Sequence, residues 1–344
     1  MKKQLHILLA AVLCGGALRA HAQDVPRERE PDTARPLAWL IAAQNDDGGW
    51  GEGTKTAPDV ATTAISGLAL LRMGHTFSAG QHQASTKRAI EYVVAAALRA
   101  PREDIDINPA GTLPQRKLGR HIDTFLAAQY LAEVLPTIPE GASRGRAKAA
   151  LDRLLEKIYR AQRGDGSYAS DGWAPVLSSA FANNGLYAAR AAGEKVEREV
   201  LARGETYMMN NYDEKTKQFQ TGSSAGVQLY TVAGTAAAAA QAGRMDAPAA
   251  KAALSRLGDE SFLRGFGSYG GEEHVSYMMT SEALASIGGQ DWDKWNRAIH
   301  TRLAAIQRQD GTWRGDHCIT STSFCTAASL ITLTIHAKSQ PHGS

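Results

Sequence analysis

The feature that most constrains this fold is a unit repeated along nearly the whole chain. In each copy a helical stretch leads into a turn of glycine and an aromatic residue. A second helical stretch, rich in Ala, Leu, Ser and Thr, follows. Residues 38–44 run into NDDGGWG and on to 60–73, and 151–162 into RGDGSY and on to 176–192. Residues 200–211 run into KQFQTGS and on to 226–242, 249–257 into RGFGSYGG and on to 275–287, and 295–307 into RQDGTWRG and on to 321–336. A further unit, 89–98 followed by a long loop and 121–134, lacks the glycine turn. The aromatic markers Trp50, Tyr168, Phe219, Tyr269 and Trp313 stand 118, 51, 50 and 44 residues apart, and the first gap spans the unmarked unit. The period is therefore roughly 50 residues and the unit count is six.

The two helices of each unit differ in kind. The second ones (ATTAISGLALL, SSAFANNGLYAA, TVAGTAAAAAQA, TSFCTAASLITL) are apolar or small nearly all round, the mark of a buried helix. The first ones carry charges such as Arg88, Glu91, Arg153, Glu156, Arg203 and Glu205 on one face. No run alternates apolar and polar residues long enough to form a strand. The expected fold is all-α: an (α/α)6 toroid of six helical hairpins, with buried inner helices ringed by amphipathic outer ones. An open solenoid of the same hairpins is the alternative, but no polar capping unit stands at the C-terminus.

Residues 1–22 have a basic start, an apolar middle and an A-x-A ending before Gln23, the pattern of a cleaved secretory signal peptide. The expected organisation is a signal peptide at 1–22, a flexible segment at 23–35, one α/α-toroid domain over 36–337, and a flexible tail at 338–344. Export to the periplasm or exterior follows, and the cleaved chain carries 35 basic and 35 acidic residues. Such neutrality gives no global reason to bind nucleic acid. No apolar run of about 20 residues remains to span a membrane. Of the 3 cysteines only Cys318 and Cys325 stay, and an oxidising compartment would let them pair.

The strings QNDDGGWG, QRGDGSY and QRQDGTW resemble the repeats of the protein prenyltransferase β-subunit and squalene–hopene cyclase superfamily. The resemblance runs from about residue 38 to 335. It extends to secreted bacterial prenyltransferase/squalene-cyclase-repeat proteins, through RHIDTFLAAQYLAE and SSAFANNGLYAARAAG. It implies a terpenoid cyclase/protein prenyltransferase-like toroid with a ligand cavity in the barrel, around one end of the inner helices. The repeat signature itself reads as structural. Gln44, Gln162 and Gln307 end outer helices, where an amide can bond exposed terminal carbonyls. Gly48, Gly49, Gly166 and Gly311 supply turn angles, and the aromatics fill space between hairpins.

The residues that begin the inner helices are the chemical candidates: Asp59, Thr62 and Thr63; His121 and Asp123; Ser178, Ser179 and Asn183; Gln228 and Tyr230; Glu272, Glu273, His274 and Tyr277; Asp316, His317, Cys318, Ser321 and Thr322. Converging on one rim, His121, Asp123, His274 and Tyr277 would suit acid/base catalysis. Asp316, Cys318 and His274 would suit a divalent metal such as zinc. Helix capping is the alternative for the Asp, Ser and Thr members. Zinc prenyltransferases resemble a D-x-C pair with a later His; Asp316-His317-Cys318 matches in letters but lies in the last unit. The D-x-D-D acid of squalene-cyclase-type enzymes is not completed at Asp104-Ile-Asp106 or Asp291-Trp-Asp293. Asp104 and Asp106 lie in the long loop, 99–120, an insertion that could lid a cavity, with ordinary solvated loop charge the favoured alternative. The leading expectation is a toroid that binds an extended apolar or isoprenoid-like small molecule. The alternatives are a scaffold that holds another exported protein, and a glycan-active lyase or hydrolase.

Overall fold

A computed structural model describes residues 30–168, 173–259, 261–262 and 271–336. The expected signal peptide, the RGFGSYGG turn with Tyr269, and the tail at 338–344 lie outside the described residues. Thirteen α-helices are described, with one two-stranded hairpin, Tyr212–Asp213 paired to Gln218–Phe219.

Six helices form the inner layer: α2 (Val60–Arg72), α5 (Ile122–Val134), α7 (Pro175–Ala191), α9 (Gln228–Ala242), α11 (Gly271–Ile287) and α13 (Thr322–Thr334). Each packs on the next, and α13 packs back on α2, so the ring is closed. Six outer helices alternate with them along the chain: α1 (Ala34–Ala43), α3 (Gln83–Arg99), α6 (Ala142–Ala161), α8 (Arg198–Met209), α10 (Pro248–Leu257) and α12 (Gly289–Ile306). A short helix, α4 (Leu113–Leu118), sits in the long loop behind a Thr112–Gln115 capping box. Residues Val60 to Leu70 of α2 are buried without interruption, as an apolar-all-round helix between two layers must be. Small side chains set the spacing. A methyl group at Gly67 would overlap the Tyr130 ring of the neighbouring inner helix.

The repeated turn has a sharper purpose than capping. Gln44 Nε2 donates to Gly48 O in its own turn (2.9 Å) and to Ser85 O on the next outer helix, α3 (3.0 Å). Gln162 reaches Gly166 O (3.4 Å) and Val200 O on α8 (2.7 Å) in the same way. The amides thus bind neighbouring hairpins, not the terminal carbonyls of their own helices. Gln307 repeats the move across the ends of the chain, donating to Gly311 O (2.8 Å) and Asp32 O (2.6 Å) and accepting from Asp32 N (3.0 Å). Asp32 and Arg35, expected in a flexible lead-in, therefore belong to the clasp that joins the last hairpin to the first. The turn glycines fit by necessity. Gly48 and Gly166 have φ of +92° and +87°, and a side chain there would strike the backbone of Arg88 or Arg203. Trp50 and Trp313 lie fully buried, and their Nε1 atoms donate to Leu40 O and Leu303 O.

The long loop is no lid. On α6, Arg153, Lys157 and Arg160 sit one turn apart on one face. They donate to the carbonyls of Leu98, Pro101, Asp104, Glu103 and Arg102. Lys157 is buried by this contact. Residues 98–104 of the loop are held on the outer wall by their backbone, and further along Ile107, Leu113 and Leu118 are buried in the core, with α4 packed on α5 and α7.

Candidate ligand cavity and the opposite rim

A cavity of about 780 Å³ lies on the ring axis, lined by all six inner helices. Every lining segment comes from the C-terminal part of its helix: Leu71 and Arg72 of α2, Gln129 to Glu133 of α5, Asn184 to Ala191 of α7, Ala237 to Gln241 of α9, Glu282 to Ser286 of α11, and Thr334 of α13. Eight alanines, with Leu71, Pro136 and Ile335, form most of its wall. One or two helical turns nearer the N-termini, the positions in line with them hold Leu68, Leu126, Met279 and Leu330, all buried. Large side chains fill one half of the barrel, and short ones leave the other half open.

A polar belt crosses this wall. Arg72 Nη2 sits 2.7 Å from Glu133 Oε2 and 3.3 Å from Glu282 Oε1. Gln129 Nε2 donates to Glu133 Oε1 at 3.1 Å, and Gln241 Nε2 to Asn184 Oδ1 at 2.7 Å. Burial pushes the Glu282 carboxyl up to about 7, and Glu133 adds to this while Arg72 offsets only part. Burial works against the Arg72 cation too, but the two carboxylates outweigh it and raise its pKa.

None of His121, Asp123, His274, Tyr277, Asp316 or Cys318 lines this cavity. The opening is at the other end of the inner helices from the rim where these residues stand. His121 pairs with Asp106 of the long loop, which also holds Arg120. Asp123 is buried and accepts Ala61 N (2.9 Å), while Asp59 accepts Thr62 N (2.7 Å). Both carboxylates cap α2, which is the capping alternative realised across two helices. Burial raises both pKa values, with Glu52 adding to it at Asp59 and Asp59 adding to it at Asp123. His274 bonds Ser329 of α13 through Nδ1 (2.9 Å), and burial, reinforced by Arg302, pushes it down to about 4. Tyr277 accepts from Arg302 Nε (2.9 Å), turning toward the outer helix α12.

The metal candidates divide differently from expectation. Asp316 is exposed, and His274 bonds Ser329 through Nδ1 with its Nε2 buried and unpartnered; among the described residues neither joins a group of potential ligands with Cys318. Cys318 instead meets Glu272 and His317, with one ligand atom from each inside 4.8 Å. Glu272 is wholly buried, and burial raises its carboxyl. Cys318 and Cys325 are both free thiols, not a disulfide. Cys325 faces Ile319 O at 3.5 Å, and Cys318 turns to Glu272. Burial pushes the Cys318 thiol up to about 11 and the Cys325 thiol to about 12.

These features define the class of fold: the prenyltransferase/squalene-cyclase-like helical toroid. No family model and no curated protein matches the chain. Among solved structures it is similar to the type II terpene cyclase MstE from Scytonema. A variant in complex with its substrate, geranylgeranyl dihydroxybenzoate, shares 15% identity at a TM-score of 0.57, over 89% of this chain and 96% of that one. The apo form shares 17% at 0.54, over 88% and 96%. Another variant, in complex with the product merosterolic acid A, shares 15% at 0.54, over 88% and 94%. At such identities the likeness concerns the fold. Among the described residues no helix is long and apolar enough to cross a membrane.

Proposed function

We propose that this protein binds an elongated, mostly apolar, isoprenoid-like small molecule in its axial cavity. The observation that carries the reading is the cavity itself: six inner helices end around it, four of them contributing alanines to its wall, and its volume of about 780 Å³ lies within the range of small-molecule sites. Apolar wall is the main source of affinity for such a ligand, at roughly 25 cal/mol per Å² removed from water. The MstE structures, with an isoprenoid substrate or product bound, support the reading as an analogy of fold. The signal-peptide pattern at 1–22 adds export to it.

The test is native mass spectrometry of the purified protein, followed by titration with isoprenoids. A bound lipid, or saturable binding abolished by Ala240→Trp, supports the reading. Ala240 lines the cavity, so the indole fills space that is empty. Binding that survives this variant with unchanged affinity would refute the cavity as the site.

A second reading concerns the opposite rim. Glu272, His317 and Cys318 supply the O, N and S donors that zinc takes, and the ion would offset the cost of the buried carboxylate. Metal analysis of the purified protein, with Cys318→Ser alongside, tests it. Stoichiometric zinc lost in the variant supports the site, and no zinc in either protein removes it.

A further inference from the structure

From the polar belt of the cavity we infer that the bound molecule carries a cationic headgroup, a primary ammonium on an apolar chain, and that anionic headgroups are turned away. This rests on the ligand-cavity reading above and adds the chemistry of the polar end.

The first observation is the charge balance. Arg72, Glu133, Glu282, Tyr187 and His336 are the ionisable groups lining the cavity among the described residues. Two carboxylates therefore face one guanidinium, and a single Nη2 already serves both. A phosphate or carboxylate entering here finds its one strong cation committed and two acids beside it. Tyr187 does not change the balance, because its hydroxyl is bonded to Glu205 and Arg190 lies over its ring. His336 stands exposed beyond the end of α13.

The second observation is an unmet acceptor. Gln129 must present Nε2 to the Glu133 carboxylate, which fixes the rotation of its amide. Its Oε1 is buried and has no hydrogen-bond partner, in a residue only 4% exposed. The Asn184–Gln241 amide pair, whichever way its amides are turned, leaves one donor and one acceptor unmet. The wall is thus short of donors, and an ammonium supplies three of them with a positive charge.

The third is the direction of the scaffold. All six inner helices end at this cavity, so six sets of terminal carbonyls, the negative ends of the helix dipoles, gather at its wall. Such ends favour cations within about one turn. The carboxylates, the amide oxygen and the helix ends point to the same sign of ligand.

A matched series tests this: farnesylamine, farnesol and farnesyl monophosphate titrated calorimetrically into the whole protein near neutral pH. The amine should bind about tenfold or more tighter than the alcohol, with the phosphate weakest. A cation beside Glu282 draws its raised carboxyl back toward ionisation, so amine binding should release a proton, seen as heat that depends on the buffer. Glu282→Gln should shrink the amine-to-alcohol ratio toward one and abolish that release. Glu133→Gln serves the same comparison if the first variant does not fold. Phosphate or alcohol binding as tight as amine overturns the inference and leaves the cavity reading standing. Failure of all three to bind overturns both.

Discussion

Replacing Gln307 by Ala asks how much of the stability resides in closing the ring. The wild-type side chain makes three hydrogen bonds, two from Nε2 and one to Oε1, and two of them reach Asp32 across the chain ends. At about 1 kcal/mol net per bond the loss would be about 3 kcal/mol, if nothing took their place. Asp32 is partly exposed, so water can satisfy its freed groups, and about 2 kcal/mol is expected. For a domain of this size that lowers Tm by roughly 5 °C. Gln44→Ala supplies the internal comparison. Gln44 is buried, and its removal strands Gly48 O, Ser85 O and an Arg88 guanidinium. It should cost more, about 3 kcal/mol, without touching the chain ends. Calorimetric melting gives the order, and limited proteolysis gives the place. Only Gln307→Ala should expose residues 30–36 to cleavage before the rest of the chain. A Gln307→Ala protein within about 0.5 kcal/mol of wild type, with no early cleavage there, would refute the view that this glutamine closes the toroid.

Four further outcomes follow. His274 is buried and titrates in the folded state near 4, against about 6.5 unfolded, so its contribution is present above pH 6.5 and is lost as pH falls toward 4. His274→Gln should flatten that acid limb of a stability–pH curve by up to about 3 kcal/mol, and an unchanged limb counts against the assignment. Asp123 has the opposite sign: its raised pKa gives stability that is full below about pH 4 and is lost as pH rises through neutrality. Asp123→Asn, which keeps an acceptor for Ala61 N, should melt higher than wild type at pH 8 and not at pH 4. Thiol titration should find both cysteines free after denaturation and neither fast at neutral pH in the native protein; a single bridged pair would contradict the free thiols. N-terminal sequencing of exported protein should begin at Gln23, and retention of Met1 would remove the signal peptide.

Much of the fold was legible because its rules are local. The contrast between charged and small-apolar helices assigns the two layers, and the glycine–aromatic turn marks the hairpins. A count of six was enough to expect closure. The open end of the barrel was not legible, because alanine serves equally to let helices touch and to leave a space between them. Ala127 and Ala128 are buried between helices, while Ala132 lines the cavity a turn later. A signal was nevertheless present. Arg72, Glu133 and Glu282 are lone charges in the C-terminal halves of inner helices (LALLR, LAEV, TSEALAS), where nothing about packing calls for one. The polar residues at the helix starts are the more conspicuous pattern in the sequence, and for Asp59 and Asp123 capping explains them. The Glu272–His317–Cys318 group shows a limit of another kind: the string Asp316-His317-Cys318 contains two of the three residues, and only the third dimension replaces Asp316 by Glu272 from another unit.

The basic stripe on α6 reads the long loop by its carbonyls, and carbonyls are common to all residues. Arg153, Lys157 and Arg160 therefore hold a shape and not a spelling. Between positions 98 and 104 the sequence can drift while the path of the backbone is kept. The constraint sits instead on three residues some fifty positions away, and on Asp106, whose carboxylate meets Arg120 and His121 by side chain. Among descendants of this sequence residues 98–104 should vary freely in their letters and hardly at all in their course, while the buried Ile107, Leu113 and Leu118 further along should stay apolar.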